Sequence, residues 1–372
     1  MGLGLYFIVA GTLITGAANS LFTKYQDNQC VRNCGDPDVS KHRTFEQPAI
    51  QSLQMFVGEL SVFIVYYFVH IYRKRRDYQP LPNELTSSNS LLKNVQLSIP
   101  AVCDLVATTL LNVGLVYTPV SIYQMTRGSI VLFVALLSVI FLKRRITKLE
   151  WISLFLVSFG ILVVGLSGSQ TTESKPNETP ELVIFGIFVI LIAGLMQAFQ
   201  FVVEEHILSK RPIVPLQLVY IEGFFGCTIL LVVMIILNYI LGSILPKKQF
   251  LDNPFNMKES FSQLFSSKEV VLSSVCIMIS IATFNFCGIT LTHRISATTR
   301  STVDTSRTLV VWLCAIVMGW ESFKLLQATG FAILVFGTLC FNGVIEPELW
   351  WWIPKFLKDE VIHDIEEPVE RF

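Results

Sequence analysis

Arg300, Asp304 and Arg307 stand at i, i+4 and i+7 within one apolar stretch of this chain. A second stretch carries Tyr123, Gln124 and Arg127, and the three-residue step from Gln124 to Arg127 puts both on one helical face with Val120 and Val131. Arg127 follows Pro119 by eight residues, which is about 12 Å along a helix. Guanidinium groups pair well with carboxylate and phosphate, so Arg127 and Arg307 turned to a common interior would make a cationic site for an anionic group. Asn19, in the first apolar stretch, adds a neutral hydrogen-bonding group to that set. Glu59, Asp104 and Glu222 are carboxylates within three further apolar stretches. Ionisable side chains in such surroundings cost a few kcal/mol or more unless they face protein or water. Each is therefore read as part of a solute site, as a carrier of coupling protons, or as half of an ion pair that locks helices together. Asp304 would serve Arg307 in the last role, and Glu59 or Asp104 would serve Arg127. Gln54, Asn112, Tyr117, Gln197, Gln200, Tyr220 and Asn285 read mainly as interhelical hydrogen-bonding groups.

Enzyme chemistry finds little support. Asp104 and Asp304 do not sit in a Gly-x-Gly-Asp setting, and Arg300 and Arg307 on the face of Asp304 would hold it ionised, contrary to a shared-proton pair. A His-Glu-x-x-His helix, a serine elbow and a phosphate-cradling loop are all missing from the sequence. No catalytic residue, cofactor or metal site is expected.

The elements that position these residues are long and apolar. The 372 residues are 52% hydrophobic and 15% charged, with a mean hydropathy of +0.58, too little polar surface to coat a water-soluble fold of this size. A scan for the roughly 20 apolar residues that cross a bilayer predicts ten spans, at 3–24, 49–71, 95–117, 119–142, 148–168, 181–206, 214–245, 268–293, 297–320 and 323–345. The first lacks a basic leader and a cleavage site and reads as a retained helix. The fold class is therefore an all-α membrane protein, with connectors too short for an independent core. Lys and Arg collect on one side of this arrangement, at Arg73 to Arg76, Lys143 to Arg145, Lys210 and Arg211, so both termini should be cytosolic. That orientation sends the sequon Asn177-Glu178-Thr179 and the pair Cys30 and Cys34 to the lumenal side, where Asn177 is a glycosylation site and the cysteines a disulfide. Net charge is zero and basic residues are scattered, which removes nucleic acid as a partner. Trp350, Trp351 and Trp352 suit a membrane interface.

A shift of 180 residues sets Thr118 on Thr298, Ser121 on Ser301, Gln124 on Asp304, Thr126 on Ser306, Arg127 on Arg307 and Val131 on Val311. After three residues are dropped, Phe159-Gly160 falls on Phe336-Gly337, and Gly58-Glu59 has a counterpart in Glu222-Gly223. A duplicated unit of five helices, an odd number, must insert its two copies with opposite orientation. The expected division is a first repeat over 1–170, a lumenal linker over 171–180, a second repeat over 181–345 and a cytosolic tail over 346–372, forming one membrane domain. Such a 5+5 inverted repeat suggests a secondary transporter with a midplane site and alternating access. A scaffold or regulator that keeps the fold without transport is the alternative.

Seven stretches, taken in order, resemble the solute carrier 35 family, subfamily F. They are Thr23 to Asn28, Met55 to Glu59, Pro100 to Asp104, Tyr123 to Gly128, Val203 to Glu205, Glu222 to Gly226, and Ser296 to Arg300 with Asp304 to Arg307. The resemblance covers nearly the whole chain. It implies the ten-helix drug/metabolite transporter fold shared with nucleotide-sugar carriers, and residence in an endomembrane, first the lysosome, with the Golgi or a mitochondrial association as alternatives. The nucleotide-binding motifs of well-studied nucleotide-sugar carriers are not found here, so a small anionic or zwitterionic metabolite is the broader expectation. Beside the solute and the lipid bilayer, the expected partners are a second copy in a homodimer and cytosolic sorting adaptors reading Tyr78-Gln79-Pro80-Leu81. Asn177→Gln should abolish the gel-mobility shift that a glycosidase produces on the protein from its native membrane; an unchanged shift removes Asn177 as the site.

Overall fold

The computed structural model describes residues 3–32, 34, 43–45, 47–75, 96–118, 123, 126–169, 180–211, 213–246, 250, 253, 255–319, 323–345 and 350. Gln124, Asn177, the Tyr78 to Leu81 tetrapeptide, Trp351, Trp352 and the tail beyond them lie outside the described residues. The chain forms α1 (Leu3–Asp27), a small hairpin of β1 (Cys30–Arg32) and β2 (Arg43–Thr44), α2 (Pro48–Arg75), α3 (Ser98–Tyr117), α4 (Ile130–Phe141) and α5 (Lys148–Ser169). It continues with α6 (Pro180–Lys210), α7 (Pro215–Ile244), the short α8 (Met257–Leu264), α9 (Lys268–Arg294), α10 (Ala297–Val317) and α11 (Leu325–Phe341).

Helix starts follow local chemistry. Thr147 and Glu150 close a capping box at α5: the Glu150 N–H donates to Thr147 Oγ1 at 3.2 Å and the Thr147 N–H to Glu150 Oε2 at 2.7 Å. Ser267 caps α9 and Ser296 caps α10, each accepting from the N–H three residues on. Among the described residues, five helices, α1, α2, α6, α7 and α9, are long and apolar enough to cross a membrane, and α3, α4 and α11 contain shorter apolar segments. The expected uninterrupted span 119–142 requires correction, because α4 begins only at Ile130. A turn at Gly128 and Ser129 separates it from the helical pair Thr126-Arg127. Ser129 Oγ donates to Thr126 O at 2.7 Å, giving that carbonyl a side-chain partner at the break.

Apolar and polar residues are distributed inside out. Phe7, Phe68, Phe155, Phe188, Ile184, Leu272 and Val317 are exposed, while Asn19, Gln26, Gln54, Glu59, Glu204, Glu222 and Arg300 are buried. Water would penalise such a surface and lipid would not.

The helix contacts follow a two-fold pattern. Exchanging α1, α2, α3, α4 and α5 with α6, α7, α9, α10 and α11 maps α3 on α6 onto α9 on α1, α2 on α9 onto α7 on α3, and α1 on α10 onto α6 on α4; the pairs α2 with α7, α4 with α10 and α5 with α11 map onto themselves. Two of these self-paired sets, α2 with α7 and α5 with α11, run antiparallel. Along α2 and α7, Tyr220 lies against Phe63 and Tyr66, Gly223 against Glu59 and Leu60, and Gly226 against Phe56. Along α5 and α11, Gly160 meets Leu334 N and Gly330 O, whereas Gly337 meets Val157 N and Ser153 O. One offset of 177 residues interchanges those two sets of contacts, the same offset that aligns Phe159-Gly160 with Phe336-Gly337.

A Cβ at Gly160 would fall 2.7 Å from Leu334 N and 2.8 Å from Gly330 O, both backbone atoms that cannot rotate away. Gly160→Ala should therefore force α5 from α11 and cost about 1–3 kcal/mol, read as a lower unfolding temperature in detergent. Gly194→Ala, whose Cβ would lie 3.6 Å from the Phe133 ring, should leave that temperature unchanged.

Candidate solute site and the buried charges around it

Arg307, on α10, sits where α1, α9 and α10 meet. Its Nε is 3.3 Å from Asp304 Oδ1, its Nη1 donates to Gly16 O of α1 at 3.5 Å, and its Cζ is 5.1 Å from the centroid of the Phe284 ring of α9. Gly16 makes room for this side chain, since a Cβ there would come within 2.6 Å of Arg307 Cδ. Arg127, preceding α4, hydrogen-bonds the Tyr123 side chain and faces Asp304 and Asp104. Asn19 follows Gly16 by three residues on α1 and is buried; its Oδ1 accepts from Ser280 Oγ of α9 at 3.2 Å. The fold thus gathers Tyr123, Arg127, Asp304 and Arg307, with Asn19 one turn away. Asp304 Oδ1, despite its nearness to Arg307, is a buried acceptor without a hydrogen-bond donor.

A second group lies beside the first. Arg300, three per cent exposed, forms a salt bridge with the fully buried Glu204 of α6. Gln200 Nε2 donates to Glu204 Oε1 at 3.0 Å, and Arg300 Cζ lies 4.2 Å from the centroid of the Phe201 ring. The next residue of α6, Glu205, accepts the Ala297 N–H at 2.6 Å through Oε2, tying the same helix to the start of α10. Glu59 of α2 accepts from Asn285 Nδ2 of α9. Asp104 faces Glu204, Arg300 and Arg127, whereas Glu222 of α7 faces Glu204, Glu59, Arg300 and Asp104. On the lumenal side of the expected topology, Cys30 and Cys34 are joined by a disulfide with Cα atoms 5.8 Å apart. Among the described residues, no group of three or more His, Cys, Asp or Glu is arranged to hold a metal ion.

Glu204 and Arg300 are the residues that the sequence did not single out as a pair. Glu204 lay at the last turn of the expected span 181–206, where a carboxylate reads as interfacial. The helix in fact runs to Lys210 and carries Glu204 into the interior. Arg300 read as one step of the α10 stripe, yet it answers α6 rather than Asp304. The signal that was present is two ionisable residues inside apolar stretches; their pairing across 96 residues is a tertiary matter. Removing one partner of a buried ion pair strands the other, at about 3–5 kcal/mol. Glu204→Gln should accordingly lower the unfolding temperature of the purified protein strongly. Glu204→Met combined with Arg300→Met, which removes both charges, should recover most of that loss.

The family model described as nucleotide-sugar transporter matches residues 40–242. Solute carrier family 35 member F6 of Rattus norvegicus is 36% identical over 347 residues, covering 92% of this chain and 90% of its own length. An uncharacterised protein of Schizosaccharomyces pombe is 37% identical over 335 residues, covering 90% of this chain and 96% of its own. A solved crystal structure, 11% identical, superposes with a TM-score of 0.61 over 92% of this chain and 98% of that one, a likeness of fold alone.

Proposed function

Because this chain belongs to the nucleotide-sugar-transporter-like solute carrier 35 family, a family of transporters and not of enzymes, we propose that it moves a small anionic or zwitterionic metabolite across an endomembrane by alternating access. The observation that carries the solute class is the nearness of Arg127 and Arg307 to each other and to Asp304 in the interior. Arg307 is paired with Asp304 and Arg127 has Asp304 and Asp104 nearby, so a solute carboxylate or phosphate would bind by sharing these guanidinium donors. The donorless Asp304 Oδ1 is placed to accept from an ammonium or hydroxyl group on the same solute. Tyr123 and Asn19 complete the binding set, together with Gln124, three residues before Arg127 in the sequence.

Alternating access is supported by the antiparallel self-pairing of α2 with α7, and of α5 with α11. Two copies inserted with opposite orientation would meet along such pairs; ten spans would put both termini on one side, and the Lys and Arg distribution makes that side the cytosol. The halves 1–170 and 181–345 would rock about these contacts while the arginines stay between them. The lysosome is the address we infer for the protein, from its resemblance to subfamily F and from the Tyr78 to Leu81 tetrapeptide.

Purified protein in liposomes, offered pooled anionic and zwitterionic metabolites, should take up at least one of them. Arg127→Leu and Arg307→Leu should each reduce that uptake at least tenfold in protein that remains monodisperse and helical, and Arg127→Lys should restore it only in part because the bidentate geometry is lost. Uptake unaffected by either leucine variant would refute the site. A complete lack of uptake across the panel would favour the scaffold reading.

A further inference from the structure

The interior around Arg300 holds more negative than positive charge. Glu59, Asp104, Glu204 and Glu222 come from four helices, α2, α3, α6 and α7, and all face Arg300, which α10 supplies. The salt bridge commits Arg300 to Glu204. Asp104 has Arg127 as a second cation within reach. Glu59 and Glu222 have no cation of their own among the described ion pairs, and both are at least 95% buried. Glu59 keeps one neutral donor, Asn285, while Glu222 Oε1 is buried with no hydrogen-bond partner at all.

Two carboxylates cannot remain in such a place uncompensated, because burial without a counter-charge costs more than any hydrogen bond here returns. No converging metal ligands are present among the described residues to supply a divalent ion. The smallest cation that fits without a coordination shell is a proton.

We propose that Glu222 and Glu59 form a proton-carrying pair, distinct from the Arg127, Asp304 and Arg307 site, that takes up and releases one proton between α2 and α7. The proton adds to a carboxylate oxygen and leaves from it, so the pair gains and loses one positive charge with no redox change. Location gives the pair its leverage. Gly223 packs on the backbone of Glu59 and Leu60 at the crossing of α2 with α7, a contact between the two halves that any rocking motion must disturb. Asp104 faces both Glu222 and Arg127, which links the charge of the pair to the occupancy of the arginine site. The groups facing Glu222 are Glu59, Asp104, Glu204 and Arg300, and the Cys227 thiol lies near Glu59.

Coupling to solute movement rests on the transporter reading; the proton site itself does not. Infrared difference spectroscopy of the full chain in lipid nanodiscs, titrated with acid and without added solute, reads protonated carboxyl groups directly. The wild type should show a carboxylic-acid band that titrates and shifts in heavy water, that E222Q removes or displaces, and that E222D keeps. E59Q should displace the same band, and E259Q, at the exposed ion pair with Arg32, should not. A band identical in wild type, E222Q and E59Q, all folded by circular dichroism, overturns the pair, as does a spectral change at Glu222 that follows sodium instead of pH. If E222Q does not fold, E59Q and E222D decide the outcome by the same band. Presence of the band with no uptake in liposomes would refute transport and leave the proton site standing.

Discussion

Lipid outside and charge inside set the terms for this molecule. Phenylalanine, leucine, isoleucine and valine dominate the exposed faces of the helices, so every ionised group must be answered within the bundle itself. The contact between Glu204 and Arg300 is the fullest example, with a guanidinium packed over Phe201 and a carboxylate supported by Gln200. It fixes α6 against α10, and the bond from the Ala297 N–H to Glu205 places the start of α10 beside it. From that start, Asp304 and Arg307 follow at fixed helical intervals and reach the region of Gly16 and Phe284. Asp304 and Arg307 are thus positioned from a salt bridge that belongs to neighbouring residues.

Close backbone approach is the second condition. Gly160, Gly330 and Gly337 allow α5 and α11 to cross with peptide groups in contact, and Gly58 and Gly223 do the same for α2 against α9 and α7. In lipid, where apolar side chains gain little by leaving one apolar medium for another, packing between small residues supplies much of the helix association. Reciprocity of the contacts of Gly160 and Gly337 shows how one duplicated sequence feature serves both sides of a single interface.

The two-fold pattern is incomplete. The first turns of α10, from Ala297 to Val303, are buried throughout, whereas α4 begins after a turn at Gly128 and Ser129, which an offset of 180 residues sets on Thr308 and Leu309 within α10. Arg300 has Val120 as its counterpart at an offset of 180 residues, so the lock to Glu204 has no equivalent in the other half.

The long apolar helices α1, α2, α6, α7 and α9, the helical stripe of Arg300, Asp304 and Arg307, and the shared register of Gly160 and Gly337 were legible in the residues, because hydropathy and helical period are local properties. The interruption before Ile130 was less so: a glycine and a serine in a strongly apolar run do not stop a helix by propensity alone. Nor could local pattern pair Arg300 with Glu204, or leave Glu222 Oε1 without a donor among the described residues. Partners far apart in the chain are selected by which helices cross and how they are rotated, and that is decided by packing and by the cost of an unanswered charge in a medium that cannot solvate it.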